Sequence, residues 1–198
     1  MRGVIPEVDE ISDLNITVEY DHLKLHPAIY HIPFPFDTTQ FKPVEKKPLK
    51  KIIIGHAPTN RKAKGTDIII STVEKLKKDY NVELLLIENL PYKKAIALKK
   101  ECNLFIDQIS ELGYGINSLE AFALGIPVLS SLSEEFKTLC PGHPFIEVDN
   151  ENLYDRLFYI LKNPESLSEL GLKGRKWVEE FHNPVNVVKK IHKLLKNV

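Results

Sequence analysis

Apolar residues fall along this chain in short unbroken runs, separated by stretches where they recur every three or four positions. From Lys50 onward, Ile52, Ile53 and Ile54 form the first run, and Ile69, Val73 and Leu76 follow at i, i+4 and i+7 after Gly65 and Thr66. That pattern predicts a strand, a loop and a helix. A second strand is predicted over 82–87, then a helix over 92–102 with Ala95, Leu98 and Cys102 along one side. A short third strand over 104–106 leads to a loop containing Gly113 and Gly115, a helix over 118–124 closed by Gly125, a fourth strand over 126–129 and a fifth over 145–148. Strands that are apolar on every residue suit a sheet covered on both faces. The expected fold class is therefore α/β, a doubly wound, Rossmann-like parallel sheet with helices on both sides. The last third reads as helices over 152–161, 164–181 and 184–195, each opening on a capping residue or an early proline.

Residues 1–48 break this rhythm. Pro27, Pro33, Pro35, Pro43 and Pro48 leave room only for short β-like stretches such as 28–32. They read as an N-terminal arm ending in a hinge-like segment, and 49–198 as a single domain.

Composition narrows the function classes. With 198 residues, 43% hydrophobic and 27% charged, the chain has enough apolar mass for one packed domain. Lys+Arg 27 against Asp+Glu 27 gives a formal net charge of zero, so nothing draws the whole molecule toward nucleic acid. Cys102 and Cys140 have neither CxxC spacing nor a nearby histidine pair, which argues against disulfide scaffolds and zinc modules. The longest apolar stretch, over 119–132, is interrupted by Glu120, Gly125 and Pro127, so no membrane-spanning helix is expected. Glu7, Asp9, Glu10 and Asp13 stand where a secretory signal would be apolar, and cytoplasmic residence is the expectation. In the final helix, Lys189, Lys190, Lys193 and Lys196 alternate with Val187, Val188, Ile191 and Leu194. This face fits either a wet helix surface, the favoured reading, or peripheral membrane contact.

Two turns at the carboxyl ends of the predicted strands carry candidate chemistry, because ligands of open parallel sheets collect there. The first, over 55–65, places Arg61, Lys62 and Lys64 just before a helix N-terminus. Cations there oppose the helix dipole unless an anion such as a phosphate arrives, although a solvated basic loop has the same sequence. It is not a P-loop, since Lys64 is followed by glycine, and no GxGxxG follows a strand. The second turn, over 112–120, offers glycines that let backbone approach a ligand and the amides of Ile116, Asn117 and Ser118 at a helix start. Asn117 followed by Glu120 also fits a capping box. No Asp-x-Asp occurs, and no metal is expected.

From Pro33 to the C-terminus the chain resembles the donor-binding, C-terminal domain of retaining glycosyltransferases of the B fold. The residues that carry the likeness come in order. "IPFPFDTTQFKP" over 32–43 resembles the family's hinge "IPNGVDxxxFxP", "RKAKGTD" over 61–67 its basic loop, and "LEAFALGIPV" over 119–128 its "LEAMAxGxPV" segment. The resemblance implies a nucleotide-sugar donor. Lys64, helped by Arg61, would meet the diphosphate, Glu120 the ribose, and Gly113, Gly115 and Ile116 the sugar and phosphates through backbone amides. Two positions depart from the pattern. Leu112 stands where the family has a sugar-contacting glutamate, with Glu111 one residue early, and His56 stands in place of a phosphate-binding arginine. Asp107 and Gln108, at the rim after the third strand, are further candidates for donor or acceptor contact. The implied activity is hexosyl transfer to an acceptor. Because residues 1–48 are too short for an acceptor domain, the alternatives are a donor-binding portion of a larger enzyme, a subunit completed by another chain, or a noncatalytic nucleotide-sugar binding module. A sugar-nucleotide epimerase on the same fold is a further possibility.

Overall fold

The computed structural model describes residues 11–25, 27–44, 50–110 and 113–196. Its centre is a five-stranded, wholly parallel sheet. The strands are β3 (Ile52–His56), β4 (Val82–Leu86), β5 (Leu104–Gln108), β6 (Val128–Ser130) and β7 (Ile146–Glu147), in the spatial order β4-β3-β5-β6-β7. Helices connect them: α1 (Arg61–Lys64), α2 (Thr66–Leu76), α3 (Tyr92–Glu101), α4 (Ile116–Ala123) and α5 (Glu134–Leu139). After β7 come α6 (Leu153–Lys162), α7 (Ser166–Phe181) and α8 (Pro184–Leu195). This is the doubly wound α/β architecture expected.

Alternation along β5 shows how one sequence serves two layers. Leu104 and Ile106 enter a buried cluster with Ile54, Ile69, Val73 and Leu157, whereas Phe105 enters a second with Leu119, Phe122, Phe136 and Val178. Successive side chains of a strand point to opposite faces, and both faces here are covered. No described helix is long and apolar enough to cross a membrane.

Several boundaries differ from expectation. The fourth strand starts at Val128, not 126, because Ile126 and Pro127 are still leaving the turn that Gly125 makes at φ +74°. Two short helices were not anticipated. In α5, Ser133 accepts from the Phe136 amide at 3.2 Å, and Glu134 and Glu135 occupy the first turn. In α1, Asn60 accepts from the Ala63 amide at 3.1 Å, so half of the expected basic loop is a helical turn. The arm also holds more order than its prolines suggest. β1 (Asn15–Thr17) and β2 (Ile29–His31) pair in parallel, with a 3₁₀ turn over Asp21–Lys24 between them. The proposed domain boundary at 48/49 lies outside the described residues.

Two glycines of α7 sit close against α4 and the turn that follows it. A Cβ on Gly171 would lie 2.0 Å from the Gly125 carbonyl oxygen, and one on Gly174 would lie 2.0 Å from the Phe122 ring. Beside them the Arg175 guanidinium donates to the carbonyls of Phe41 at 2.8 Å, Thr38 at 3.3 Å and Ala123, binding the linker to the C-terminal end of α4. Val44 adds a backbone bond to Leu124 at 3.0 Å. In a solvent-facing helix Gly→Ala stabilises by about 1 kcal/mol. At position 174 the sign should reverse: Gly174→Ala is expected to destabilise by roughly 1–3 kcal/mol through overpacking, read as a lowered Tm, and an unchanged or raised Tm would refute this packing.

Candidate functional site

The order of the sheet reverses at β3 and β5, and the crevice beyond their carboxyl ends is where an open α/β sheet takes a ligand. Asp107, near the end of β5, organises this crevice. Its Oδ1 accepts from Lys64 Nζ at 2.7 Å, and its Oδ2 accepts from the Gly115 amide at 2.8 Å and the Ser118 hydroxyl at 2.6 Å. Burial would raise the Asp107 pKa, but the Lys64 charge and the hydrogen bonds from Lys64, Ser118 and Gly115 outweigh it and hold the carboxyl below its ordinary value. Lys64 gives a second proton to Gln108 Oε1 at 2.6 Å. An ammonium has three donors; among the described residues, two are engaged.

The geometry of α1 explains how Lys64 gets there. Gly65 takes φ +71°, which ends the helical turn, and a Cβ there would meet Ile109 at 2.4 Å and Ser110 at 2.6 Å. Only glycine satisfies both demands. The turn thereby folds back on the segment after β5, where the Ile109 amide donates to the Lys64 carbonyl at 3.3 Å. The basic turn and the glycine turn thus meet on one carboxylate. A Cβ on Gly115 would stand 3.7 Å from Asp107 Oδ2 and 3.9 Å from Lys64 Nζ.

A second buried cluster adjoins the first. Lys99, 1% exposed, donates to Glu120 Oε2 and to Asn117 Oδ1 at 2.5 Å, and Asn117 Nδ2 donates to the Ala57 carbonyl at 3.0 Å. The Tyr92 hydroxyl lies beside the same carboxylate: burial, then the Glu120 charge, raises its pKa. The capping-box reading of Asn117 and Glu120 is therefore corrected. Gly115 is the N-cap of α4 and gives no side-chain bond, Asn117 lies inside the helix, and Glu120 turns to a lysine on a different helix. Lys99 was missed in the sequence although a signal existed. It sits four residues after Ala95 and three before Cys102, on the inward stripe of its helix.

The other candidates fall around these clusters. Arg61 is exposed and pairs with Glu88, its Nε donating to Oε1 at 2.9 Å. His56 is fully buried: its Nδ1–H donates to the Ile106 carbonyl at 2.8 Å, and its Nε2 accepts from the Thr66 hydroxyl at 2.9 Å. Burial lowers its pKa, so the ring is neutral at pH 7 and, with both nitrogens engaged, fastens β3, β5 and α2 together. The amides of Gly113 and Gly115 are committed internally, Gly113 to the Ser131 carbonyl at 2.9 Å. The amides of Ile116 and Asn117, at the start of α4, make no hydrogen bond with a described residue. Tyr114 anchors the glycine turn among Phe136, Phe145 and Trp177, its hydroxyl donating to His182 Nε2 at 3.2 Å. Glu111 and Leu112 lie outside the described residues.

No family model matches the chain, and no curated protein does. Solved structures do. TarM superposes with a TM-score of 0.71 at 18% identity, over 94% of this chain and 44% of its own. A glycosyltransferase from Rickettsia africae gives 0.72 at 14% identity, over 93% and 63%. HepE from Anabaena, solved in complex with UDP and glucose, gives 0.68 at 13% identity, over 94% and 64%. This is the GT-B glycosyltransferase fold. The chain spans roughly half to two-thirds of the length of the GT-B structures it matches.

Asp107 makes the site testable without a ligand. A carboxyl whose pKa is depressed by folding contributes stability that is present above its unfolded value, about 3.9, and lost as pH falls through the folded value. Asp107→Asn leaves a buried ammonium without its counter-ion and should lower stability at pH 7 by about 3–5 kcal/mol. The gap to wild type in denaturant unfolding should narrow below about pH 4, and equal stability of the two proteins at pH 7 would contradict the pairing.

Proposed function

We propose that this crevice binds the nucleotide diphosphate of a sugar donor and serves hexosyl transfer. One observation carries the reading: Asp107 brings Lys64 and the α4 N-terminus together at the sheet's switch point. A diphosphate there would take the third Lys64 proton and the amides of Ile116 and Asn117, where the helix dipole favours an anion. Arg61 can join by exchanging Glu88, since an exposed pair is held by little. Glu120, steadied by Lys99, is assigned to the ribose. In transfer, the bond from the sugar's anomeric carbon to the diphosphate oxygen breaks with its electron pair staying on the nucleotide. The acceptor hydroxyl oxygen bonds to that carbon and loses its proton, and Lys64 stabilises the departing charge.

The reading requires no metal, because an ammonium and helix amides meet the diphosphate, and no nucleic-acid partner. Cys102 and Cys140 are both buried, and a cytoplasmic setting is part of this reading.

A second reading, a noncatalytic nucleotide-sugar module completed by another chain, is favoured by a specific feature. Lys64, Lys99 and Arg61 each already face a carboxylate, so the site is electrically balanced without a ligand. Turnover separates the two readings: binding without donor hydrolysis or transfer, alone and with partner chains, supports the module.

Calorimetric titration with a panel of nucleoside diphosphates and their sugars, UDP and UDP-glucose first, tests the common part. Lys64→Ala should weaken binding by about 1.5–3 kcal/mol, roughly ten- to a hundredfold; because it also leaves the buried Asp107 without its counter-ion, the variant is titrated at a temperature where its melting curve shows it folded. A chelator should leave the affinity unchanged. No binding by any member of the panel, or equal binding by wild type and Lys64→Ala, would remove the donor site.

A further inference from the structure

The glycine turn has a second side. Past Gly115 opens a cleft of about 640 Å³ whose opposite wall is the arm, through Val18, Glu19 and Asp21, with Phe34 of the linker. Gly115 belongs to both compartments, bordering Lys64 on one side and the cleft on the other. A donor whose diphosphate lies at Lys64 would carry its sugar past this residue into the cleft.

We propose that the arm's Glu19 and Asp21 make this cleft selective by charge, admitting a neutral, hydroxyl-rich glycosyl group and rejecting one that bears a carboxylate. The proposal rests on the donor reading above.

The arm wall is fixed in place. The Ile32 amide donates to the Thr17 carbonyl at 2.9 Å, the Tyr20 ring stacks on His31 at 3.9 Å, and the Phe36 amide donates to the His182 carbonyl at 2.8 Å. Across the cleft, Lys24 of the arm pairs with Glu135 of α5 at 2.7 Å. The charged residues lining the cleft are Glu19, Asp21, Glu135 and Lys24, three negative against one positive, a formal balance of −2 among the described residues. Lys24 is paired with Glu135, and Glu19 and Asp21, both exposed residues of the lining, have no ion pair among the described residues.

The rest of the lining suits a sugar. Phe34, Ile116 and Leu119 offer an apolar surface to a ring's C–H face, and Ser133 adds a hydroxyl at the rim. Tyr20, 8% exposed, lines the cleft, and its buried hydroxyl faces that of Tyr114 without the geometry of a hydrogen bond, so it has no partner among the described residues. Ionised carboxylates only accept hydrogen bonds: they pair well with hydroxyl donors and repel another carboxylate.

The test compares a nucleoside diphosphate, its neutral sugar and its uronic acid: UDP, UDP-glucose and UDP-glucuronate, or GDP, GDP-mannose and GDP-mannuronate if the panel selects guanine. Wild type should bind the neutral sugar nucleotide at least tenfold more tightly than the uronate. Glu19→Gln with Asp21→Asn should leave the diphosphate affinity unchanged and bring the two sugar forms within about threefold of each other, a gap under 1 kcal/mol. Equal binding of neutral and anionic sugars by wild type, or a double variant that keeps the full discrimination, would overturn charge selectivity while the donor reading stood. Failure of every nucleoside diphosphate to bind would remove the donor reading and this proposal with it.

Discussion

A carboxylate without solvent must be surrounded by donors or it will not stay charged, and Asp107 is surrounded on every side the structure describes. Lys64 reaches it from α1, and Gly115 and Ser118 reach it from the start of α4. Each of these segments is short and would be loosely determined alone. Bound to one charge they acquire a common geometry, and the candidate ligand site is a by-product of that requirement. Gly65 follows from it, because it lets the basic turn fold back.

Pairing of cations decides how such a site works. An open ring of lysines and arginines would attract any polyanion. Here Lys64, Lys99 and Arg61 are matched by Asp107, Glu120 and Glu88, so any anion entering this crevice would have to compete or share. The exposed Arg61 pair is the one most readily exchanged, because solvent and salt already screen it. The buried pairs hold position. On the donor reading proposed above, a diphosphate would rely on a spare ammonium proton and two helix amides, groups with direction, more than on bulk positive charge.

Much of the fold was legible because buried parallel strands are apolar throughout and covering helices repeat with a period near 3.6. Runs such as Ile52–Ile54 and the stripe Ile69, Val73, Leu76 have few alternative explanations. Residue spacing served less well where one spacing suits two structures. Asn117 and Glu120 stand three apart, which fits a capping box at a helix start and equally fits two side chains on one helical face. A lysine from a helix distant in sequence decides between them, and local pattern carries no record of it. His56 shows the same limit: as a letter after a strand it resembles a ligand contact, and its burial between Ile106 and Thr66 exists only once three elements have packed. The three-residue strands of the arm are too short for any periodicity to register.

Arg175 gives the linker and the donor-side helix a shared fastening. Its guanidinium grips the carbonyls of Thr38 and Phe41 in the linker together with that of Ala123, the last residue of α4. At the opposite end of the same eight-residue rod stand the amides of Ile116 and Asn117, which make no hydrogen bond with a described residue. Displacement of the arm therefore cannot be taken up by slack in the linker. Arg175 would pass such a displacement to the C-terminal end of α4, where Gly171 and Gly174 seat it.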